Sequence, residues 1–124
     1  MALVQFANGF NGTYEAGGQT LKVGKEALAP YDMTYGGLAA CLYSNFLKHC
    51  GEAGAEIVSG DVYIDGKKRD AVPATLEHVD ILFRVDSSAD EAVLAEALKK
   101  ATETCSMFQT ISAVAEMEYK LEKK

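Results

Sequence analysis

The residues of this sequence whose type and setting could do chemistry are Cys41 and Cys105. A cysteine thiolate is a nucleophile, and it exchanges with other thiols through disulfides. Cysteine is also a small hydrophobic residue, so a cysteine on an apolar helix face is often inert packing. Both interpretations stay open for each cysteine taken alone. Redox chemistry in this chain therefore depends on whether folding brings the two sulfurs together.

Cys41 lies in a predicted helix over residues 29–50. Pro30 suits the first turn of a helix, where its missing N–H is not needed. Gly51 and Gly54 predict its end. The small residues GGLAAC before the sulfur leave room beside it, and two glycines inside a helix suggest that another group approaches closely. The apolar face predicted for this helix carries Leu38, Cys41, Leu42 and Phe46.

Cys105 closes a second predicted helix. Ser88 is expected to cap this helix, with Glu91 completing a capping box. Residues 106–110 are predicted to be a short connection, and residues 112–122 a final strand. A sulfur at this helix end is placed to reach across to another element. The third cysteine, Cys50, is expected to pack at a helix end without a role.

The remaining segments alternate or carry turn signals and predict strands. The clearest strand covers residues 75–86, and Gly60 suggests a bulge in the strand before it. The resulting order is β-β-β-α-β-β-α-β. Because the strands are grouped rather than alternating with helices, the expected fold class is α+β, in one domain over residues 1–124. The other strands are predicted at residues 2–6, 10–15, 20–23 and 55–65.

Composition excludes several classes of function. The net charge of −6 makes nucleic acid and anionic membranes poor partners. No apolar run approaches the length of a membrane span, and the first residues lack the basic and apolar regions of a signal peptide. Three cysteines without dense spacing fit free thiols in a reducing compartment, so we expect a cytoplasmic protein. The cysteines and histidines form no paired ligand spacing, so we expect no metal site.

Three stretches of the chain resemble the OsmC/Ohr family of organic hydroperoxide reductases. The first runs from Pro30 to Cys41, where Leu38-Ala39-Ala40 leads into the sulfur. The second is GKKRDAVPATLEHVDILFRV, after the first helix. The third is CSMFQTIS, which starts at Cys105. The likeness extends from Pro30 to the end of the chain, and the order of strands and helices is also similar.

The resemblance implies a fold, a reaction and a partner. It implies an intertwined homodimer in which antiparallel-rich sheets from both chains wrap two long central helices, with the sites at the interface. It implies that Cys41 is the peroxidatic cysteine and Cys105 the resolving one, in a peroxidase for organic hydroperoxides. No bound cofactor is implied. An external dithiol, either a lipoylated protein or a thioredoxin-type protein, would reduce the Cys41–Cys105 disulfide.

Two family features differ in this sequence. Family members hold the thiolate with an arginine from an early strand and a glutamate near the start of the first helix. Here no arginine precedes Arg69, and Tyr31, followed by Asp32, stands where the glutamate would fall. Tyr31 and Asp32 are therefore the candidate substrate-binding residues. The alternative function is a catalytically weak member that binds a hydrophobic ligand or a protein partner in the same dimer cleft.

Overall fold

The computed structural model describes all 124 residues, in six strands and three helices. It divides into two compact units, residues 1–36 and residues 37–124. The predicted α+β class is confirmed, because the strands are grouped into two three-stranded sheets. The single domain over residues 1–124 stays a prediction. The elements are β1 (Leu3–Ala7), β2 (Asn11–Ala16), β3 (Gln19–Gly24), α1 (Pro30–Glu52), β4 (Ser59–Lys68), β5 (Leu76–Asp86), α2 (Glu91–Thr104), α3 (Ser106–Ser112) and β6 (Glu116–Lys123).

The first unit contains an antiparallel meander of β1, β2 and β3. Gly17 and Gly18 join β2 to β3 with φ values of 57° and 73°, which is the left-handed conformation that tight hairpins require. Val23 is the only buried large apolar side chain of these three strands. The sheet therefore leaves much of its apolar surface uncovered. Leu3, Phe6, Phe10 and Leu21 are 48%, 56%, 52% and 48% exposed.

The second unit contains the sheet β4-β5-β6, in which β5 pairs antiparallel with β4 and parallel with β6. A parallel pair needs a crossover connection, and α2 with α3 supplies it. The strand predicted over residues 75–86 is confirmed almost residue for residue as β5. Its inner face is fully covered, so this sheet has a complete core of its own. The buried residues on that face are Val79, Ile81, Phe83 and Val85.

The long helix α1 confirms the predicted helix and extends it to Glu52. Gly54 ends it rather than Gly51: its φ is 73°, and the N–H of Ala55 donates to the carbonyl of Cys50 at 2.8 Å, as in a Schellman motif. One face of the helix is buried over four turns. The side chains on that face are Leu38, Leu42, Phe46 and Cys50.

Gly60 does not form the predicted bulge. It pairs regularly with Val85, and the shift in register lies between Lys67 and Lys68. Instead, a Cβ at Gly60 would lie 2.6 Å from the ring of Tyr43, so the glycine makes room for an aromatic side chain of α1.

Three predictions around the second helix are wrong. The N-cap of α2 is Asp90 and not Ser88. Residues 106–110 are not a connection but part of α3, and the final strand therefore begins at Glu116 instead of residue 112. Cys105 is the N-cap of α3, and its sulfur accepts a hydrogen bond from the N–H of Phe108 at 3.3 Å. A cysteine is an unusual cap, so the usual signal for a helix start is missing here.

Candidate active site

The sulfurs of Cys41 and Cys105, which are 64 residues apart in the chain, lie 3.0 Å from each other. Both are free thiols, and the thiol of Cys105 donates a hydrogen bond to the sulfur of Cys41. A disulfide has an S–S distance of about 2.05 Å, so a modest movement separates this contact from a covalent bond. Folding thus brings together the two residues on which the sequence interpretation depends.

Two junctions position these sulfurs. Cys41 lies on α1, beside the buried Leu42 and on the side that faces the turn between α2 and α3. Cys105 is the C-cap of α2 and the N-cap of α3, with an extended backbone at φ −78° and ψ 112°. Its N–H donates to the carbonyl of Ala101 at 2.9 Å, and its side chain turns toward α1. A single residue therefore ends one helix, starts the next and reaches Cys41.

The close approach that the two adjacent glycines suggested is not made by any atom of this chain. A Cβ at Gly37 would lie 3.4 Å from Cε of Met107, the second residue of α3, which is an ordinary van der Waals distance. A Cβ at Gly36 would have no neighbour within 4 Å.

Hydrogen bonds lower the pKa of Cys41 below its usual value. The largest cause is the bond from the Cys105 thiol, and the next is the backbone N–H of Met107. Burial opposes the shift, while the side chain and backbone of Ser106 add to it. A thiolate at Cys41 is thus stabilised by neutral donors, most of them in the first turn of α3.

The pKa of Cys105 moves in the opposite direction, to about 11. The first cause is burial, since this side chain has no exposed surface, and the second is its bond to Cys41. The two thiols therefore differ in protonation: Cys41 ionises at the lower pH, while Cys105 keeps its proton and donates a hydrogen bond to Cys41. Cys50 is also buried, and burial raises its pKa to about 11, in keeping with the packing expected of it.

Tyr31 and Asp32 lie in the first turn of α1, within the first unit. The carboxylate of Asp32 accepts a hydrogen bond from the N–H of Ala29 at 2.9 Å, as the third residue of a capping box does. The rings of Tyr31 and Tyr35 are 6.0 Å apart between centroids. Asp32 thus has a structural role at the start of the helix, and contact of either residue with substrate stays a prediction.

Sequence reasoning missed two parts of this site. Ser106 and Met107 supply hydrogen bonds to Cys41, but their segment was predicted to be a connection. Asn45 was not singled out either, although it lies one helical turn after Cys41, with its Nδ2 3.8 Å from the sulfur. The spacing of four residues on a predicted helix was the available signal for Asn45.

A separate polar cluster lies on the outer face of the second sheet. The ligand atoms of His78, Asp80 and Glu118 all lie within 4.8 Å of one another. The pKa of His78 is raised, first by its hydrogen bond to Asp80 at 3.1 Å. Such ion pairs are common on exposed sheet faces. The sequence did not indicate this cluster, because β6 pairs with β5 only after a crossover.

The model of the OsmC-like protein family matches residues 23–120. The chain belongs to this family. The resemblance seen in the sequence is thereby confirmed, and it covers both cysteines of the OsmC-like site. A search of curated proteins found no match.

Solved structures share the fold of this OsmC-like protein at low sequence identity. A hypothetical protein from Aquifex aeolicus VF5 is 17% identical with a TM-score of 0.91, and the match covers 100% of this chain and 95% of that one. An OsmC-like protein from Mycoplasma pneumoniae is 11% identical, with a TM-score of 0.89 and coverage of 99% and 95%. The organic hydroperoxide resistance protein OhrB of Bacillus subtilis is 15% identical, with a TM-score of 0.72 and coverage of 98% of both chains.

None of the three helices of the OsmC-like chain combines the length and the apolar character needed to cross a bilayer.

Proposed function

We propose that this OsmC-like protein is a thiol-dependent peroxidase that reduces organic hydroperoxides through Cys41 and Cys105. The observation that carries the proposal is the 3.0 Å contact between a sulfur with a lowered pKa and a second thiol that keeps its proton. A peroxidatic thiol needs thiolate character, and a resolving thiol needs only to be near. Three structural relatives are named organic hydroperoxide resistance proteins, which supports this class of substrate.

The first step is attack of the Cys41 thiolate on the terminal oxygen of the hydroperoxide. An S–O bond forms, the O–O bond breaks, and the alkoxide takes a proton from solvent and leaves as an alcohol. Cys41 is oxidised by two electrons to a sulfenic acid, and the peroxide is reduced by the same two electrons. The donors of Ser106 and Met107 hold the sulfur in the form that attacks.

The second step joins the two sulfurs. The Cys105 thiol attacks the sulfenic acid, an S–S bond forms, and the hydroxyl leaves as water with the proton of Cys105. An external dithiol, lipoylated or of the thioredoxin type, then reduces the disulfide by exchange and is itself oxidised. Both protein thiols are restored, and no resident cofactor is required.

We infer that the working form is a cytoplasmic homodimer. The support is one face of the first sheet, on which Phe6 and Leu21 are about half exposed. A three-stranded sheet is stabilised by covering such a face. A second copy of the chain is the occupant that the family implies, and its sheets would wrap the α1 helices of both copies. An apolar cleft between the copies would favour substrates with an organic chain, which gains by burial.

The test is consumption of cumene hydroperoxide and tert-butyl hydroperoxide in the presence of dithiols. We expect turnover with at least one dithiol, loss of turnover in Cys41→Ser, and retention of a single sulfenic acid-forming step in Cys105→Ser. Mass measurement after peroxide should show the loss of two hydrogens in the wild type only. Activity no higher than that of Cys41→Ser with every donor would refute the proposal.

A second candidate function is a catalytically weak protein that binds a hydrophobic ligand or partner in the dimer cleft. One observation favours it: only neutral groups contribute to the lowered pKa of Cys41, and no arginine or lysine is among them. Alkylation of Cys41 by iodoacetamide as a function of pH separates the two candidates. An apparent pKa well below 7 supports the peroxidase, and one at the ordinary value of about 8.5 supports binding.

A further inference from the structure

A chain of polar side chains joins α1 to the C-terminal end of α2 beside the two cysteines. Nδ2 of Asn45 lies 2.9 Å from the carbonyl oxygen of Cys41 and 3.8 Å from its sulfur. Oδ1 of Asn45 lies 2.9 Å from the hydroxyl of Thr104, and that hydroxyl lies 3.1 Å from Nε2 of His49. Thr104 directly precedes Cys105. The chain therefore connects the immediate surroundings of both sulfurs.

The chemistry of these groups fixes the direction of the hydrogen bonds. An amide oxygen only accepts, so the Thr104 hydroxyl donates its one proton to Asn45. The carbonyls of Lys100 and Ala101 are more distant acceptors for that hydroxyl, at 3.2 and 3.4 Å. His49 must then donate to Thr104 through Nε2. All the donors point toward Cys41, and Thr104 determines which end of the Asn45 amide faces the sulfur.

We propose that Asn45 is a positioning residue that presents its amide N–H to the Cys41 thiolate, and that Thr104 holds the amide in that orientation. The inference rests on the proposed function and names a further part of the same site. The site contains no cation among the groups that stabilise Cys41, so each neutral donor carries a larger share. The same bridge ties the backbone of Cys41 to the residue before Cys105, which keeps the sulfurs at their contact distance.

The titratable groups near this chain lie at its two ends. The two thiols are at one end. At the other end are His49, Glu52, whose carboxylate lies 3.8 Å from Nδ1 of His49, and Glu96 and Lys100 of α2, which line a cavity together with His49. The amide and hydroxyl in the middle carry no charge at any pH of interest. A change in the titration of Cys41 on mutation of Asn45 or Thr104 therefore reports the loss of a neutral donor and not the loss of a charge.

The first test measures alkylation of Cys41 by iodoacetamide from pH 5 to 10 in Asn45→Ala and Asn45→Asp. Loss of this one long hydrogen bond to a charged group should slow alkylation at pH 7 about threefold and move the profile to higher pH. Asn45→Asp should slow it further, because a carboxylate opposes the thiolate. Ser44→Ala, an exposed change next to Asn45 on the same helix, is the matched control and should keep the wild-type profile.

The second test asks whether Thr104 acts through Asn45. Thr104→Val keeps the shape of the side chain and removes the hydroxyl, and it should shift the profile in the same direction by a smaller factor. The double variant Asn45→Ala/Thr104→Val should match Asn45→Ala alone. Thr34→Val is the control, since the Thr34 hydroxyl bonds only the carbonyl of Pro30 four residues earlier, at 3.3 Å.

Two results overturn the inference: a profile of Asn45→Ala or Asn45→Asp that stays at that of the wild type, or independent effects of the two positions. Thermal unfolding of each variant shows whether it is folded, and Thr104→Val provides the test if Asn45→Ala is not. The readout does not depend on turnover. A shifted profile in a protein that consumes no hydroperoxide would therefore refute the peroxidase and leave the role of Asn45 intact.

Discussion

Both sheets of this molecule have three strands, but they differ in how fully their apolar side chains are buried. In the second unit, Val79, Phe83 and Val85 have no exposed surface. In the first unit, Phe6 is 56% exposed, and Val23 is the only large apolar side chain buried in the strands. Burial of apolar surface is the main stabilising contribution to a fold. The second unit thus has its own core and the thiol pair, whereas the first leaves large apolar side chains exposed.

The largest expected difference in stability between the two sheets comes from truncating one phenylalanine in each of them. Phe83→Ala should lower the free energy of unfolding by about 3–5 kcal/mol, because it leaves a cavity against Phe46, whose ring centroid lies 5.2 Å away. Phe6→Ala should cost only about 1 kcal/mol in the monomer, because its ring is half exposed and packs mainly on Phe10. Urea unfolding at low protein concentration measures both.

The same pair of variants sharpens the comparison in a second measurement. If a second copy covers the first sheet, Phe6→Ala should weaken dimer formation in analytical ultracentrifugation. Equal losses of monomer stability in the two variants would contradict the distinction between a complete and an open sheet.

A smaller effect is expected from adding a methyl group to one glycine in each unit, Gly60 in strand β4 and Gly17 in the β2–β3 turn. Gly60→Ala should cost about 2 kcal/mol, because its Cβ meets the ring of Tyr43 at 2.6 Å. Gly17→Ala has no atom within 4 Å and should cost about 1 kcal/mol through its positive φ alone. Thermal unfolding measures both costs. In a protein that also carries Tyr43→Ala, the cost of Gly60→Ala should fall and the cost of Gly17→Ala should stay the same. If the costs of Tyr43→Ala and Gly60→Ala simply add, the steric explanation is contradicted.

Among the groups that hydrogen-bond to Cys41, Cys105 should have the largest effect on the pKa of its thiol. Cys105→Ala removes the largest cause of the lowered pKa of Cys41. Alkylation of Cys41 at pH 7 should slow about tenfold, and its profile should move to higher pH. Cys50→Ala is the control, because it removes a protonated thiol from α1, the helix that carries Cys41, without touching the sulfur of Cys41. A Cys105→Ala profile that matches the wild type would show that the contact between the sulfurs does not stabilise the thiolate.

The smallest expected effect is a dependence of stability on pH caused by histidine. It arises in the second unit, because residues 1–36 contain no histidine. The pKa of His78 is raised by Asp80, so its protonated form favours the folded state. This contribution is complete below the ordinary histidine pKa of about 6.5 and is lost as the pH rises through the higher folded value. His78→Gln should reduce the fall in urea midpoint above pH 6.5, and an unchanged fall would exclude His78 as its source.

The parts of the fold with a long repeating pattern could be predicted from the sequence. The alternation from Val79 to Val85 predicted β5, and the helical spacing of Leu38, Leu42 and Phe46 predicted α1. The helix α3 could not be predicted, because it has only seven residues and its cap is the sulfur of Cys105. The parallel pairing of β6 with β5 was also hidden, since a crossover of two helices separates them.

The sequence predicted the contact of the two cysteines in the candidate site but not their surroundings. The family resemblance, and not the spacing, indicated that Cys41 and Cys105 belong together across 64 residues. The contact of Asn45 with Thr104 spans 59 residues and has no local pattern. The donors of Ser106 and Met107 depend on the backbone of a helix that the sequence did not indicate.

The sulfur of Cys105 also holds the backbone of α3. It accepts a hydrogen bond from the N–H of Phe108 and donates one to the sulfur of Cys41. A change in the chemical state of that thiol would therefore reach the first turn of α3. If Cys105 forms a disulfide as proposed, the rate at which the Phe108 amide exchanges its hydrogen for deuterium should report the oxidation state of the protein.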